Sequence, residues 1–247
     1  MKYNKRIVET SSYIEIWSYE KPIVYGFEKK RRTYKNNETD DVIKYKRLLK
    51  SRQRAKHELI RLIDTNFIEN LTKFLTITTK DNIQDRSQFN NMFDKFMRRL
   101  NYYVFKTKEK KLKYVAVIEK QKRGSLHAHI LLFNLPYIPH EILLKTWGNG
   151  SVWINKVDVD SKDNRGRYIT KYMEKGLGQE LLENKGKKSY YSSKNLLRPK
   201  ELRIFDKEDI EDLVNDKLIV YRNEYVSKVK EDGNWVENKV IYQKIKI

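Results

Sequence analysis

Residues 113–133 read KYVAVIEKQKRGSLHAHILLF, and no other stretch limits the fold as strongly. KYVAVIE (113–119) and LHAHILLF (126–133) are two runs of β-forming residues, and the short QKRGS segment between them carries Gly124. Strands joined by so short a loop form an antiparallel hairpin. Folding the hairpin about Lys122–Gly124 sets residue 119 opposite residue 127. Successive side chains on a strand alternate faces, so His127 and His129 point the same way. Glu119 ends the apolar run YVAVI and shares their parity. The pattern predicts two imidazoles and one carboxylate converging on one face of a sheet. Two readings stand at this point. The histidines are satisfied core residues, or they join Glu119 around a cation that offsets the cost of burying a carboxylate. A slip of one residue in register would turn Glu119 to the opposite face. Nitrogen and oxygen donors without sulfur suit Mn²⁺ or Mg²⁺, and the same set accepts Zn²⁺ or Co²⁺.

The flanking sequence supplies layers for this hairpin. FLTITT (74–79) alternates and predicts another strand. Phe89, Met92, Phe93, Phe96, Met97 and Leu100 recur at i, i+3, i+4 spacing, an amphipathic helix whose aromatic rings belong to the core. Pro136 and Pro139 precede a short helix that ends near Trp147, with Gly148 as its stop. SVWINKVDV (151–159) predicts a fourth strand. The resulting fold class is α+β, an antiparallel central sheet with flanking helices.

The ends of the chain differ from this middle. Residues 1 to about 40 hold short alternating pieces and the basic run Lys29, Lys30, Arg31, Arg32. From Asp40 to Thr65, Tyr45, Leu48, Ala55, Leu59 and Leu62 fall at helical spacing, opposite Lys44, Arg47, Lys50, Arg54 and Arg61. That basic face is either solvated or tracks phosphates. After Pro199, DKEDIEDLVND predicts a helix, and two strand-like runs flanking a Gly-containing turn predict a hairpin. The expected division is a basic N-terminal arm and helix (1–66), a central catalytic domain (67–200) and a C-terminal helix and β-hairpin (201–247).

The 247-residue chain has 53 Lys+Arg against 33 Asp+Glu, a formal net charge of +20, together with 17 tyrosines. Such a surface attracts polyanions, and basic residues interleaved with aromatics point first to nucleic acid. An anionic membrane surface or plain solubility are the alternatives. There is no cysteine, which removes disulfides and thiolate zinc sites from consideration. MKYNKRIVETSSYIEIW lacks the apolar run of a signal peptide, and no stretch approaches membrane-spanning length. A cytoplasmic protein without a membrane partner is the expectation.

Residues 167–176 read RYITKYMEKG and predict a helix capped by Gly176. Tyr168, Lys171, Tyr172 and Lys175 then form one stripe. Half-buried rings with snorkelling lysines explain such a stripe. Chemistry explains it as well. A phenol is a usable nucleophile toward a phosphodiester when a cation and a lysine stabilise the charge that develops on phosphate.

Three motifs, taken in order, resemble the HUH endonucleases, specifically the rolling-circle replication initiators of phages, small plasmids and related mobile elements. FLTITT resembles the first motif. LHAHILLF, preceded by Glu119 and the KRG turn, resembles the second. YITKY (168–172) resembles the third, and its Tyr-x-x-Lys-Tyr form is similar to the two-tyrosine subclass of the phage gene A type. KKSYYSSKNLLRP (187–199) is similar to the tail that follows. The resemblance covers roughly residues 42–200.

It implies a Rep-like α/β domain in which His127, His129 and Glu119 hold a divalent metal, Mn²⁺ or Mg²⁺. Tyr168 would attack single-stranded DNA at an origin, leaving a 5′-phosphotyrosine and a 3′-OH that primes a polymerase. Lys171 would position the metal or the scissile phosphate. Tyr172 would serve as a second nucleophile for strand transfer or merely as a packed ring. DNA contacts are expected from Lys122, Arg123, Lys175, Lys188, Tyr190, Tyr191 and Arg198. Trp153 is divided between base stacking and core packing. GKKS (186–189) lacks the earlier glycine of a phosphate-binding P-loop, so unwinding would require a helicase of the host or element, or supercoiling. A relaxase or transposase with the same chemistry, an inactive DNA-binding regulator on this fold and a basic RNA-binding protein are the other readings.

Overall fold

The computed structural model describes residues 1–26, 41–157, 170, 190–206, 219–231 and 233–247. In chain order these contain β1 (Lys2–Glu9), β2 (Tyr13–Val24), α1 (Asp41–Asn66), β3 (Lys73–Thr78), α2 (Arg86–Phe105), β4 (Tyr114–Lys120), β5 (Leu126–Leu132) and α3 (His140–Trp147). There follow β6 (Val152–Lys156), β7 (Tyr191–Ser192), β8 (Lys200–Ile204), β9 (Ile219–Glu231) and β10 (Asn234–Lys246). The architecture is α+β, with two antiparallel five-stranded sheets and three helices among the described residues, and it is compatible with a Rep-like fold. The chain forms two compact units, residues 40–197 and a second made from both ends, 1–39 with 198–247. The division expected from sequence differs, with breaks at 66 and 200 and the two ends kept apart.

In the 40–197 unit the sheet order is β6-β3-β5-β4-β7. The hairpin of β4 and β5 turns through Gly124 at φ +90°, a left-handed value that suits glycine. Even-numbered β4 and β5 residues, with Leu75 and Ile77, face one side, where they pack against Phe89, Phe93, Phe96 and Leu100 of α2 and against Leu143 and Trp147 of α3. The predicted stripe is the buried face of α2, with Met92 partly buried. Asp85 caps that helix by accepting from the Gln88 amide at 2.6 Å. Gly148, at φ +67°, closes α3 by donating to the Leu144 carbonyl. On the other side of the sheet, Val115, Val117, Leu131 and Phe133 meet Leu59, Leu62 and Ile63 of α1. The central strands are therefore sealed on both faces, and a polar group among them needs a reason.

The second unit has the order β8-β1-β2-β10-β9. Register aligns Arg203, Arg6, Trp17, Tyr242 and Asn223 in one row across all five strands. The Arg6 guanidinium lies 4.8 Å from the Trp17 ring, and Trp17 and Tyr242 are 5.0 Å apart. The β9–β10 pair is a long hairpin turning at Gly233. The helices expected over DKEDIEDLVND and residues 165–175 lie outside the described residues, except that Thr170 is helical and fully buried.

Candidate metal centre

The odd-numbered face of β4 and β5 starts as aliphatic core and ends as chemistry. Beyond Val117 and Leu131 the same face carries Glu119, His127 and His129. The register pairs Glu119 with His127, as the hairpin spacing predicts. Glu119 Oε2 lies 3.4 Å from His127 Nε2 and 3.3 Å from His129 Nε2, and the two imidazole nitrogens are 3.1 Å apart. Glu119 and His127 are each only 7% exposed. Among the described residues this is the one cluster of three or more side chains placed to hold a metal ion.

The triangle fits a cation. Metal–ligand bonds of about 2.1 Å place adjacent ligands roughly 3.0 Å apart in octahedral and 3.4 Å apart in tetrahedral coordination. The three observed edges fall within that interval without any side chain moving. The donors are nitrogen and oxygen only, and three protein ligands leave coordination positions over, as catalytic sites do and closed structural sites do not. The triad can therefore bind a metal.

β3 supplies what the sequence reading missed. Thr76 and Thr78 pair with His129 and His127 and occupy the same face. Thr76 Oγ1 lies 3.0 Å from His129 Nδ1, and the Phe74 ring stacks on the imidazole at 5.7 Å and 23°. When Nδ1–H donates to the threonine oxygen, Nε2 keeps its lone pair toward Glu119 and His127, the tautomer a metal ligand requires. The signal is present in FLTITT. Threonines alternating with Leu75 and Ile77 must share one face, and that face is set by the hairpin.

The other expected contacts are scattered. Lys122 is exposed in the hairpin turn. Arg123 folds back, donating from Nη2 to the Thr79 carbonyl at 2.8 Å and from Nε to Gln121 Oε1. Tyr190 packs beside the α1-side core. Tyr191 pairs with Ala116 and so faces α2, away from the triad. Its hydroxyl accepts from Arg86 at 2.6 Å and lies 3.2 Å from Asn90 Oδ1. Arg198 is exposed and belongs to the other unit. Tyr168, Lys171, Tyr172, Lys175 and Lys188 lie outside the described residues.

Residues 72–177 match a family of replication-associated proteins, the ORF2 type. The matched stretch runs from the start of β3 through the triad to the YITKY segment, so all three motifs lie inside it. This match is consistent with a rolling-circle replication initiator family. Comparison with curated proteins and with solved structures finds no match. No helix among the described residues is long and apolar enough to cross a membrane.

Proposed function

We propose that the protein initiates rolling-circle replication of a phage, plasmid or related mobile element by nicking single-stranded DNA with a tyrosine nucleophile. The observation that carries this reading is the Glu119–His127–His129 triangle inside a stretch that matches a replication-associated family. A bound Mn²⁺ or Mg²⁺ would supply Lewis-acid polarisation of a non-bridging phosphate oxygen.

The chain's own residues do the rest. Glu119, His127 and His129 hold the cation, with Thr76 and Phe74 fixing one imidazole. Tyr168 Oη attacks phosphorus. The Tyr–O–P bond forms as the P–O3′ bond breaks, the phenolic proton passes to solvent and the departing oxygen takes up a proton. The products are a 5′-phosphotyrosine and a free 3′-OH. Lys171 places its ammonium beside the developing phosphate charge. Tyr172 is the second nucleophile that reverses the step at strand transfer. An excess of basic residues holds DNA phosphates, so binding is steeply salt-dependent. The setting is the host cytoplasm, with a helicase and a polymerase supplied by host or element.

The test incubates purified protein and Mn²⁺ with supercoiled plasmid carrying its coding region and with single-stranded oligonucleotides tiling that region. A protein–DNA adduct that survives denaturant and maps to Tyr168 is expected. It should be absent in Tyr168→Phe and in His127→Ala. Adducts that persist in His127→Ala would remove the metal assignment. Tight DNA binding with no adduct and no metal uptake would instead favour an inactive regulator on this fold.

A further inference from the structure

We propose that Trp153 is a base-stacking subsite for single-stranded DNA beside the triad. The proposal rests on the nicking function above and names where the strand lies. Trp153 sits on β6, the edge strand of the 40–197 unit. Register places Trp153 opposite Thr76, Thr76 opposite His129 and His129 opposite Val117, one row across four strands. Residues directly opposite one another share a face, so the indole lies on the triad's side of the sheet. Two strand spacings separate it from His129, roughly 10 Å. That is the reach of a single nucleotide from its phosphate to its base.

The burial pattern argues that this ring is not needed for the core. Val152 is 3% exposed and Ile154 packs on the opposite face, so β6 is anchored by its alternate residues. Trp153 itself is 69% exposed, whereas Trp147 of the same unit is fully buried. A large aromatic surface is left in water within reach of a site for phosphate chemistry. The occupant follows from charge and shape. Residues 40–197 carry 33 Lys+Arg against 17 Asp+Glu, a surface suited to polyanions. An unpaired base offers a flat π-face to an exposed indole, and stacking of this kind accepts any base. A duplex keeps those faces stacked inside and cannot use the site.

The experiment measures fluorescence anisotropy of labelled oligothymidine, and of an abasic strand of the same length, with the metal-free full chain. Trp153→Ala is expected to bind oligothymidine about tenfold more weakly and the abasic strand unchanged. Trp153→Phe should restore most of the loss. Metal titration of each variant by calorimetry should match that of the unsubstituted chain. Equal loss on both strands, or no loss on oligothymidine, overturns the subsite while leaving the nicking function standing. Failure of the unsubstituted chain to bind either strand overturns the nicking function itself, and the subsite with it.

Discussion

The two sheets share a strand count and an antiparallel pairing, yet they keep charge in different ways. In the 40–197 unit, β3, β4 and β5 bury aliphatic side chains on both faces, and polar groups gather at one end as the triad. In the unit made from the chain ends, rings and ions cover a face together. Glu201 accepts from Arg6 at 3.1 and 2.9 Å and from Arg203 at 3.0 and 2.7 Å, and Lys244 sits 3.7 Å from the Tyr13 ring centroid. The balance differs too. Residues 40–197 hold 33 basic and 17 acidic side chains, and the remainder holds 20 and 16. Each sheet nonetheless buries a carboxylate, Glu119 at 7% and Glu15 at 5% exposure. Glu15 accepts a 2.6 Å hydrogen bond from the Tyr242 hydroxyl. Glu119 faces two imidazole nitrogens that can turn lone pairs toward the same cation. Burial of a carboxylate does not by itself mark a site; the chemistry of its neighbours does.

Substituting both carboxylates tests that contrast most directly. Glu119→Gln should weaken Mn²⁺ binding by more than roughly 100-fold, because losing a ligand costs more than losing an outer-shell partner. Glu15→Gln should leave the metal titration unchanged and lower stability by about 1 kcal/mol. Calorimetric titration and denaturant unfolding read the two effects. Equal metal affinity in both variants would break the comparison.

Two glycines sharpen it next. A Cβ on Gly150 would lie 2.4 Å from the Thr78 carbonyl oxygen and 2.6 Å from the Lys80 amide, both backbone atoms that cannot swing aside. The residue also holds φ at +149°. Gly150→Ala should cost about 2–3 kcal/mol and weaken metal binding, since Thr78 pairs with His127. Gly233, at φ +88° in the other sheet, has nothing within 4 Å of a built Cβ. Gly233→Ala should cost only about 1–2 kcal/mol of backbone strain and leave metal binding alone. Thermal melting with and without Mn²⁺ separates the two outcomes.

What the sequence makes legible follows the range of each interaction. The hairpin register, the α2 stripe and the Gly148 cap are local, set by period and turn chemistry within a few residues, and the structure has all three. The joining of β1, β8 and β10 into one sheet is not local. Strand partners some 200 residues apart leave no periodic trace, so the two ends read as separate additions. Tyr190 and Tyr191 read from sequence as a pair of stacking residues, but neighbours on a strand face opposite ways, and only the pairing with Ala116 decides which one faces α2. Trp153 stays undecided in the sequence for the same reason, and its alternation with Val152 and Ile154 against the core is what places it. The roles of Tyr168, Lys171 and Tyr172 rest on their motif.

A smaller effect is expected from the residue behind the triad. Thr76→Val keeps the shape of the β3 side chain and removes the oxygen that faces His129 Nδ1. The imidazole then loses its tautomer preference, and metal affinity should fall about tenfold, the low end for an outer-shell partner. Thr76→Ser should restore it. No change in Thr76→Val would mean that the Phe74 stack alone holds the ring, and the two threonines would be ordinary strand residues.

The smallest expected effect belongs to the other sheet. Hydrogen bonds from Arg6, and then from Arg203, hold the Glu201 carboxyl down to about 2. An unfolded chain returns it to the ordinary range near 4.3. A depressed carboxyl stabilises the folded state fully above the unfolded value, and this contribution is lost as pH falls from there to about 2. Glu201→Gln should therefore be less stable than the unsubstituted chain at neutral pH, and the two should converge as pH approaches 2. Glu201 is largely exposed, so solvent and salt screen the pair, and the neutral-pH gap should stay under about 1 kcal/mol and shrink in high salt. The metal titration should not change at any pH at which both chains are folded. A gap that persists at pH 2 would assign the stabilisation to the packing of Arg6 on Trp17 rather than to the ion pair, and the second sheet would then be held by its rings as the first is by its aliphatic core.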